Sequence, residues 1–177
     1  GRDSMSALEF LLRGRREVEI AYFNHKTDHG DEAENFVTRM AADIGLSCYV
    51  GYPISEKKRK ESQEAFWHRE RHSFFEKFKS PVILAHHLSD AVEWWIFSSF
   101  RGKPGLMPVR KPSSNIMRPF LLSKKEDLHR FKKYNHIEDP SNQSTEYARN
   151  FIRREISPLA KIINPGIETT VRNLYDV

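Results

Sequence analysis

Short apolar segments alternate along this chain with longer amphipathic ones, and this alternation restricts the fold more than any other feature. The apolar segments 18–23 (VEIAYF), 48–50 and 81–87 (PVILAHH) have the length and composition of buried strands. Helical periodicity fills the intervals, most clearly at 31–44 and also around 61–79 and at 88–100. Strands that alternate with helices of about 10 to 18 residues predict a parallel sheet with helices on both faces. We therefore expect an α/β, Rossmann-like fold.

Polar residues predict where several of the helices begin. Asp31 is the predicted N-cap of a helix that extends to residue 44, with Glu34 three residues further on. Ser123 and Glu126 predict a capping box for a helix that extends to about residue 134. The segment 144–155 is the last strongly periodic one. We expect one domain over 1–177, of which 123–177 is a helical C-terminal portion.

Parallel sheets of this kind bind ligands beyond the carboxyl ends of their strands. The chemistry is therefore expected at the turns 1–4, 24–30 and 85–90. The first of these, Gly1-Arg2-Asp3-Ser4, leads straight into a helix. That composition suits a phosphate cradle made of backbone N–H groups at a helix N-terminus. An ordinary Ser or Asp N-cap is the alternative interpretation of the same four residues.

The charge balance indicates the kind of binding partner, and the cysteine content indicates the cellular compartment. Lys and Arg total 29 against 24 Asp and Glu, and the resulting net charge of +5 favours a polyanionic partner. The basic run Lys57–Lys60 is either a solvated loop or a patch that steers RNA. The single cysteine, Cys48, excludes an intrachain disulfide and a Cys-x-x-Cys centre, so we expect a reducing, cytoplasmic setting. We expect no membrane association, because no apolar run approaches the roughly 20 residues that span a bilayer.

Two acidic residues mark the helix that follows the third predicted strand. Asp90 and Glu93 are three residues apart, which places both carboxylates on one helix edge near the N-terminus. They are candidates to hold a metal or the ammonium group of a substrate, and a solvated pair is the alternative. Trp94 and Trp95 follow them and make the helix apolar nearly all round. We therefore predict that the two acids face a cleft.

A histidine pair and a helical arginine are candidates for nucleotide binding. His86 and His87 end the third predicted strand and could line a nucleotide pocket. Arg71 lies on the apolar face of its helix, between Trp67 and Phe74, a placement that is costly unless an anion neutralises the guanidinium. Alternatively, Arg71 lies along the surface with its stem over the aromatic rings.

A basic edge on the last periodic segment is a candidate for phosphate binding. Arg149 and Arg153 are one helical turn apart, with Asn150 beside them. Contact with tRNA phosphates is one interpretation. The other is structural, with salt bridges to Glu138 or Asp139 that hold the final helices in place.

Four segments, in this order, resemble the lysidine synthetases of the PP-loop ATP pyrophosphatase superfamily. GRDS (1–4) matches the last four positions of the family's Ser-Gly-Gly-x-Asp-Ser pattern, and AHHLSDAVEWWIFSSFRG (85–102) resembles its Ala-His-His-x-Asp-Asp-x-x-Glu-Thr element followed by Arg-Gly. MRPFLLSKKEDL (117–128) resembles its Arg-Pro-Leu-Leu segment. EDPSNQSTEYARNFIRREISPL (138–159) resembles its Glu-Asp-Pro-Ser-Asn, Arg-Asn-x-x-Arg and Pro-Leu signature, the most specific match of the four.

The resemblance implies an ATP- and Mg²⁺-dependent enzyme that adenylates the wobble cytidine of a CAU-anticodon isoleucine tRNA and attaches lysine. A homodimer is compatible with it. The implied nucleotide-binding residues are Gly1, Arg2, Asp3, Ser4 and His86, and the implied catalytic residues are Asp3, Arg71 and Asp90. Metal is assigned to Asp3 and Asp90, substrate lysine to Asp90 and Glu93, and tRNA to Arg149, Asn150 and Arg153.

The sequence departs from the family pattern at several places. Ser89 replaces the first of two Asp residues, and Trp94 replaces a Thr. The family's first strand would lie before Gly1, where we expect a hydrophobic strand that ends in Ser-Gly. With the last residue at Val177, we expect no separate C-terminal domain of the kind by which family members usually hold tRNA. The alternatives are another PP-loop ATPase that modifies tRNA or amidates a small molecule, and an inactive protein that kept the fold for binding.

Overall fold

The computed structural model describes residues 1–131, 133–138 and 147–176. The described residues form four short strands and eight α-helices. The strands are β1 Ile20–Phe23, β2 Cys48–Gly51, β3 Val82–Ile83 and β4 Ile116–Met117. The helices are α1 Arg2–Arg13, α2 Asp28–Asp43, α3 Gln63–Phe75, α4 Leu88–Phe100, α5 Lys125–His129, α6 Ala148–Phe151, α7 Ser157–Ile163 and α8 Ile167–Asn173, with a π-helical turn, Ile152–Ile156, between α6 and α7.

The strands pair in parallel, as predicted, but in two separate pairs. β1 lies beside β2 with Ile20 opposite Cys48 and Phe23 opposite Gly51. β3 lies beside β4 with Val82 opposite Ile116. Each pair is joined by a helical crossover, α2 in the first and α4 in the second. The fold class is α/β with parallel strands. Among the described residues, the strands form two separate βαβ units in place of the single sheet that was expected.

Helix α4 is the centre of the larger core. Both of its predicted ends are confirmed, and its inner face buries Leu88, Ala91, Val92 and Ile96. The C-terminal helices cover this face, with Ile152, Ile167 and Val171 in the same apolar cluster. A smaller cluster of Ala7, Phe120 and Leu128 joins α1 to α5. Within the described part of 123–177 all regular elements are helical. None of the described helices is long and apolar enough to cross a membrane.

The predicted N-cap of α2 is wrong by one turn. The helix begins at Asp28, and the Thr27 side chain accepts the Gly30 N–H at 3.0 Å. Asp31 and Glu34 are not used as caps, because their carboxylates accept the two N–H groups of the buried Asn24 amide, each at 2.7 Å. The acids therefore tie the end of β1 to α2.

Two other helices end earlier than predicted. Helix α3 stops at Phe75 rather than Lys79, because the Asn115 amide donates to the carbonyls of Phe75 (2.8 Å) and Phe78 (2.7 Å) and fixes a turn there. Helix α5 covers only Lys125–His129. The Ser123 capping box does not form, since the carbonyl of Ser123 accepts the backbone N–H of Leu88 at 2.9 Å and its own N–H bonds to Phe120.

The last periodic segment is longer than predicted and not uniformly α-helical. Its predicted start at Ser144 lies outside the described residues, and from Ala148 the helical backbone continues to Ile163 through the π-helical turn Ile152–Ile156. Pro158 explains the turn, because it has no N–H to donate to the carbonyl four residues earlier. A π-helical turn is one way for a helix to absorb such a missing bond.

Candidate active site

The N-terminus of α4 holds the acidic part of the site. Asp90 and Glu93 are only 4% and 6% exposed, so neither is a solvated surface acid. One Asp90 oxygen accepts the backbone N–H of His87 at 2.9 Å, which closes the first turn of the helix. A carboxylate at this position is stabilised by the helix dipole.

Two arginines from the C-terminal helices neutralise these acids. Arg149 donates to Asp90 at 2.9 Å. Arg153 donates to Asp90 at 3.0 Å and to both oxygens of Glu93, at 2.8 and 3.0 Å. Burial raises the pKa of Asp90, but His87 and Arg149 outweigh burial and hold that pKa below its usual value. Two carboxylates and two guanidiniums thus form a charge-balanced network, called the ion network below.

The arginines of the basic edge form salt bridges, but with partners other than the predicted ones. Salt bridges of Arg149 and Arg153 do form, but to Asp90 and Glu93 rather than to Glu138. Glu138 lies beside His136 instead, at 3.5 Å, and Asp139 lies outside the described residues. The acids of α4 do not face an open cleft, because the two arginines cover them.

The four N-terminal residues form the first turn of α1 and its cap. Arg2 and Ser4 are exposed, and the first intrahelical hydrogen bond runs from the Met5 N–H to the Gly1 carbonyl at 3.2 Å. The backbone N–H groups of residues 2–4 point out of a helix N-terminus and have no partner within the helix. This is the local geometry of a phosphate cradle.

Two histidines join this first turn to the rest of the site. His129 Nε2 lies 2.6 Å from an oxygen of Asp3. His87 lies between the two acids, with Nε2 at 3.7 Å from Asp3 and Nδ1 at 3.4 Å from Asp90. Asp3, on α1, and Asp90, on α4, therefore lie close to the same imidazole.

A cationic pocket lies beside the ion network. Burial lowers the pKa of Arg71, and Arg149 and then Arg118 lower it further. The Arg71 Nε atom is buried and has no hydrogen-bond partner among the described residues. Arg118 is 6% exposed and donates to His86 Nδ1 at 3.0 Å and to the Pro108 carbonyl at 2.9 Å. The guanidiniums of Arg71, Arg118 and Arg149 repel one another, and this cluster is called the cationic pocket below. Such an arrangement favours an anionic ligand.

The imidazoles of this pocket are neutral at neutral pH. Burial lowers the pKa of His86 to about 3, against an opposing effect of Asp90 and with help from Arg149. Burial also lowers the pKa of His72 to about 4, with further contributions from His68 and Arg71. Neutral histidines add no further repulsion between cations, so the three arginines carry the positive charge of the pocket.

Comparison with known proteins agrees with this geometry. The family model described as the PP-loop domain matches residues 1–160. The chain belongs to the PP-loop family. Among curated proteins, this PP-loop chain is 31% identical to the tRNA(Ile)-lysidine synthase of Thermosipho africanus over 97% of its own length, and 27% identical to that of Bacteroides thetaiotaomicron over 97%. In both cases it covers 44% of the relative, so it spans less than half of these proteins.

A solved structure shares the fold of the PP-loop chain. The U34-tRNA thiolase NcsA of Methanococcus maripaludis superposes with a TM-score of 0.74 over 99% of this chain and 68% of NcsA. The two sequences are only 10% identical, so the likeness concerns the fold alone.

The PP-loop chain brings most of the predicted site residues together. The contacts above bring together Asp3, Asp90, Glu93, Arg149 and Arg153. The charges of Asp90, Arg149 and Arg71 also act on His86, which accepts a hydrogen bond from Arg118. Asn150 lies on α6, next to Arg149. The described residues contain no group of three or more His, Cys, Asp or Glu side chains arranged to hold a metal ion.

Two residues of the candidate active site, His129 and Arg118, were not predicted from the sequence. His129 is 126 positions from Asp3, and nothing in the local pattern of its short helix indicates that contact. Arg118 carried a usable signal, because it stands alone among apolar residues in the stretch 116–122. A buried arginine in such a stretch requires either partners or an anion.

Proposed function

We propose that the chain is the catalytic part of an ATP-dependent tRNA(Ile)-lysidine synthetase, which attaches lysine to a cytidine of a CAU-anticodon isoleucine tRNA. The observation that carries the proposal is the position of the α1 N-terminus beside a network of two carboxylates and two guanidiniums, with the His87 imidazole 3.7 Å from Asp3 and 3.4 Å from Asp90. The names of the relatives, which match almost the whole chain, support the same substrate.

The nucleotide fits the N-terminus of α1. Backbone N–H groups of residues 2–4 and the helix dipole would hold phosphate oxygens. Asp3 is 41% exposed at its side chain, so it is accessible to a hydrated Mg²⁺, and His129 orients it. The ion would neutralise phosphate charge. Arg71 and Arg118 in the cationic pocket would stabilise the negative charge that develops as pyrophosphate leaves.

The reaction would proceed in two steps. The carbonyl oxygen of the cytidine attacks the α-phosphorus, a P–O bond forms, and the bond to the pyrophosphate leaving group breaks. The neutral side-chain amine of lysine then attacks the activated ring carbon, a C–N bond forms, the nitrogen loses a proton, and AMP leaves. Each step releases an anion next to the arginines of the pocket.

The ion network suits lysine, because a free amino acid carries a positive ammonium group and a negative carboxylate on the same carbon atom. Asp90 and Glu93 would accept hydrogen bonds from its α-ammonium group and from the neutral side-chain amine. Arg149, whose side chain is 39% exposed, would be available to its carboxylate. Lysine would thus exchange partners with groups that are already paired, and no buried charge would be left alone.

ATP–pyrophosphate exchange, measured with and without CAU-anticodon isoleucine tRNA, tests the proposal. We expect exchange that depends on this tRNA, and incorporation of labelled lysine into it. Exchange that depends on tRNA without lysine incorporation would assign the chain to another PP-loop tRNA modification. Absence of exchange with any RNA would contradict an enzymatic function.

A further inference from the structure

The loop between β2 and α3 contains four consecutive cations. Residues 54–61, called the basic loop here, include Lys57, Lys58, Arg59 and Lys60, all exposed. None of these four side chains forms an ion pair with any residue that the structure describes. Lysine-rich loops are often left unanchored in solvent, and this one is anchored.

A buried carboxylate on α3 fixes the start of the basic loop. Glu70 is 4% exposed and accepts the backbone N–H groups of Ile54 at 2.8 Å and Ser55 at 3.1 Å. It also accepts the hydroxyl of Ser55 at 2.5 Å. Three bonds from one acid hold two successive loop residues against the helix.

Arg69 and Glu61 fix the other side of the basic loop. Arg69 donates to both oxygens of Glu61, at 3.0 and 3.1 Å, and to the Glu56 carbonyl at 3.2 Å. Glu61 in turn accepts the backbone N–H of Lys58 at 3.0 Å. Lys60 is held at φ +67°, in the left-handed region, which is unfavourable for a non-glycine residue. Glu61 and Glu70 are thus occupied by Arg69 and the backbone, and they do not neutralise the four cations.

We infer that the basic loop is a preformed contact surface for the phosphate backbone of the RNA substrate, an inference that rests on the proposed function. Cations held at fixed positions lose less entropy when they bind consecutive phosphates. Phosphate contacts position a nucleic acid without reading its sequence. The location fits, because Arg69 and Glu70 anchor the loop while the next residue, Arg71, belongs to the cationic pocket.

Fluorescence anisotropy with labelled tRNA, measured over a series of salt concentrations, tests the inference. The variant K57Q/K58Q/R59Q/K60Q should bind roughly tenfold or more weakly at low salt, and its salt dependence should be shallower by about 0.7–0.9 per lost phosphate contact. The matched control R15Q/R16Q/K77Q/K79Q removes the same charge from exposed positions elsewhere and should stay near wild type. The E70Q variant keeps all four cations and raises the net charge by one, but it removes the carboxylate that holds the loop. It should weaken binding while circular dichroism shows that the chain stays folded, and binding equal to wild type would show that the fixed loop geometry does not contribute.

The outcomes separate this inference from the proposed function. Equal losses in the loop variant and in the control would show a nonspecific effect of net charge and would overturn the inference, as would an unchanged salt slope in the loop variant. Wild-type protein that binds no RNA would overturn it as well. Loss of binding in the loop variant, together with an absence of ATP–pyrophosphate exchange in wild type, would support the RNA surface and contradict the enzymatic function.

Discussion

At the scale of single residues, Arg71 differs from Arg149 and Arg153 because no carboxylate among the described residues forms an ion pair with it. Its Nε atom is buried without a partner among the described residues, and Arg149 and Arg118 disfavour its charge. Arg153, in contrast, has two hydrogen-bonded acids. A cation without a partner destabilises the unliganded protein, and only an anionic ligand can recover that cost.

We therefore predict opposite effects of two Arg-to-Leu substitutions. R71L should leave the free energy of unfolding unchanged or raise it by about 1 kcal/mol, while ATP–pyrophosphate exchange falls about 100-fold or more. R153L should lower the free energy of unfolding by roughly 2 kcal/mol, a value reduced from that of fully buried pairs because the side chain is 40% exposed. For each variant, urea denaturation measures the free energy of unfolding and the ATP–pyrophosphate exchange assay measures activity. A large loss of stability in R71L with normal exchange would show that Arg71 is structural.

The same residues show how far the sequence alone could lead. The unusual placement of Arg71 followed from helical spacing, because periodicity assigns a residue to a helix face. The partners of Arg149 and Arg153 did not follow, since the acids nearest in sequence were chosen and the actual ones lie about 60 positions away. Local patterns identify charged residues that need partners but do not identify those partners.

At the scale of elements, the packing of α3 on the first strand pair depends on one glycine. A Cβ atom at Gly51, the last residue of β2, would lie 2.4 Å from the Phe74 ring. That ring contacts Phe23 and Phe78, with centroids at 5.8 and 5.2 Å, so it has little room to move. The sequence predicted β2 and α3 but not this contact, because a glycine gives no indication of what lies above it.

G51A should therefore lower the free energy of unfolding by about 1–3 kcal/mol, because the added methyl group forces α3 away from β2. G105A is the matched control, since its nearest neighbour would lie 3.8 Å away, an ordinary contact. Chemical denaturation of both variants checks the prediction. An equal change in the two variants would attribute the effect to glycine's backbone freedom rather than to Phe74.

Ser89, which replaces an aspartate of the family pattern, makes a contact between two helices. Its hydroxyl donates to Glu168 at 3.1 Å and so joins the start of α4 to α8. An aspartate at this position would place a second carboxylate against Glu168. The serine at position 89 is thus matched to the acid on α8, and the departure has a structural reason independent of catalysis.

At the scale of the whole molecule, the arginines of the cationic pocket come from different parts of the fold. Arg71 belongs to α3, which packs on β1, whereas Arg118 follows β4 and Arg149 begins the C-terminal helices. Their mutual repulsion acts between the units in the unliganded protein. A multivalent anion that binds all three would convert this repulsion into a connection between the units.

Pyrophosphate should therefore stabilise the chain as a whole. At a concentration of about 100 times its Kd, a ligand specific for the folded state adds about 2.7 kcal/mol, which for a chain of this size raises Tm by about 5–10 °C. Hydrogen exchange should slow in both α3 and α6, because each contributes an arginine to the bound anion. The shift should be much smaller in R71L, and sodium chloride at the same ionic strength should not reproduce it. Protection confined to one unit, or an equal shift with chloride, would mean that the three arginines do not act on one ligand and that general screening relieves their repulsion.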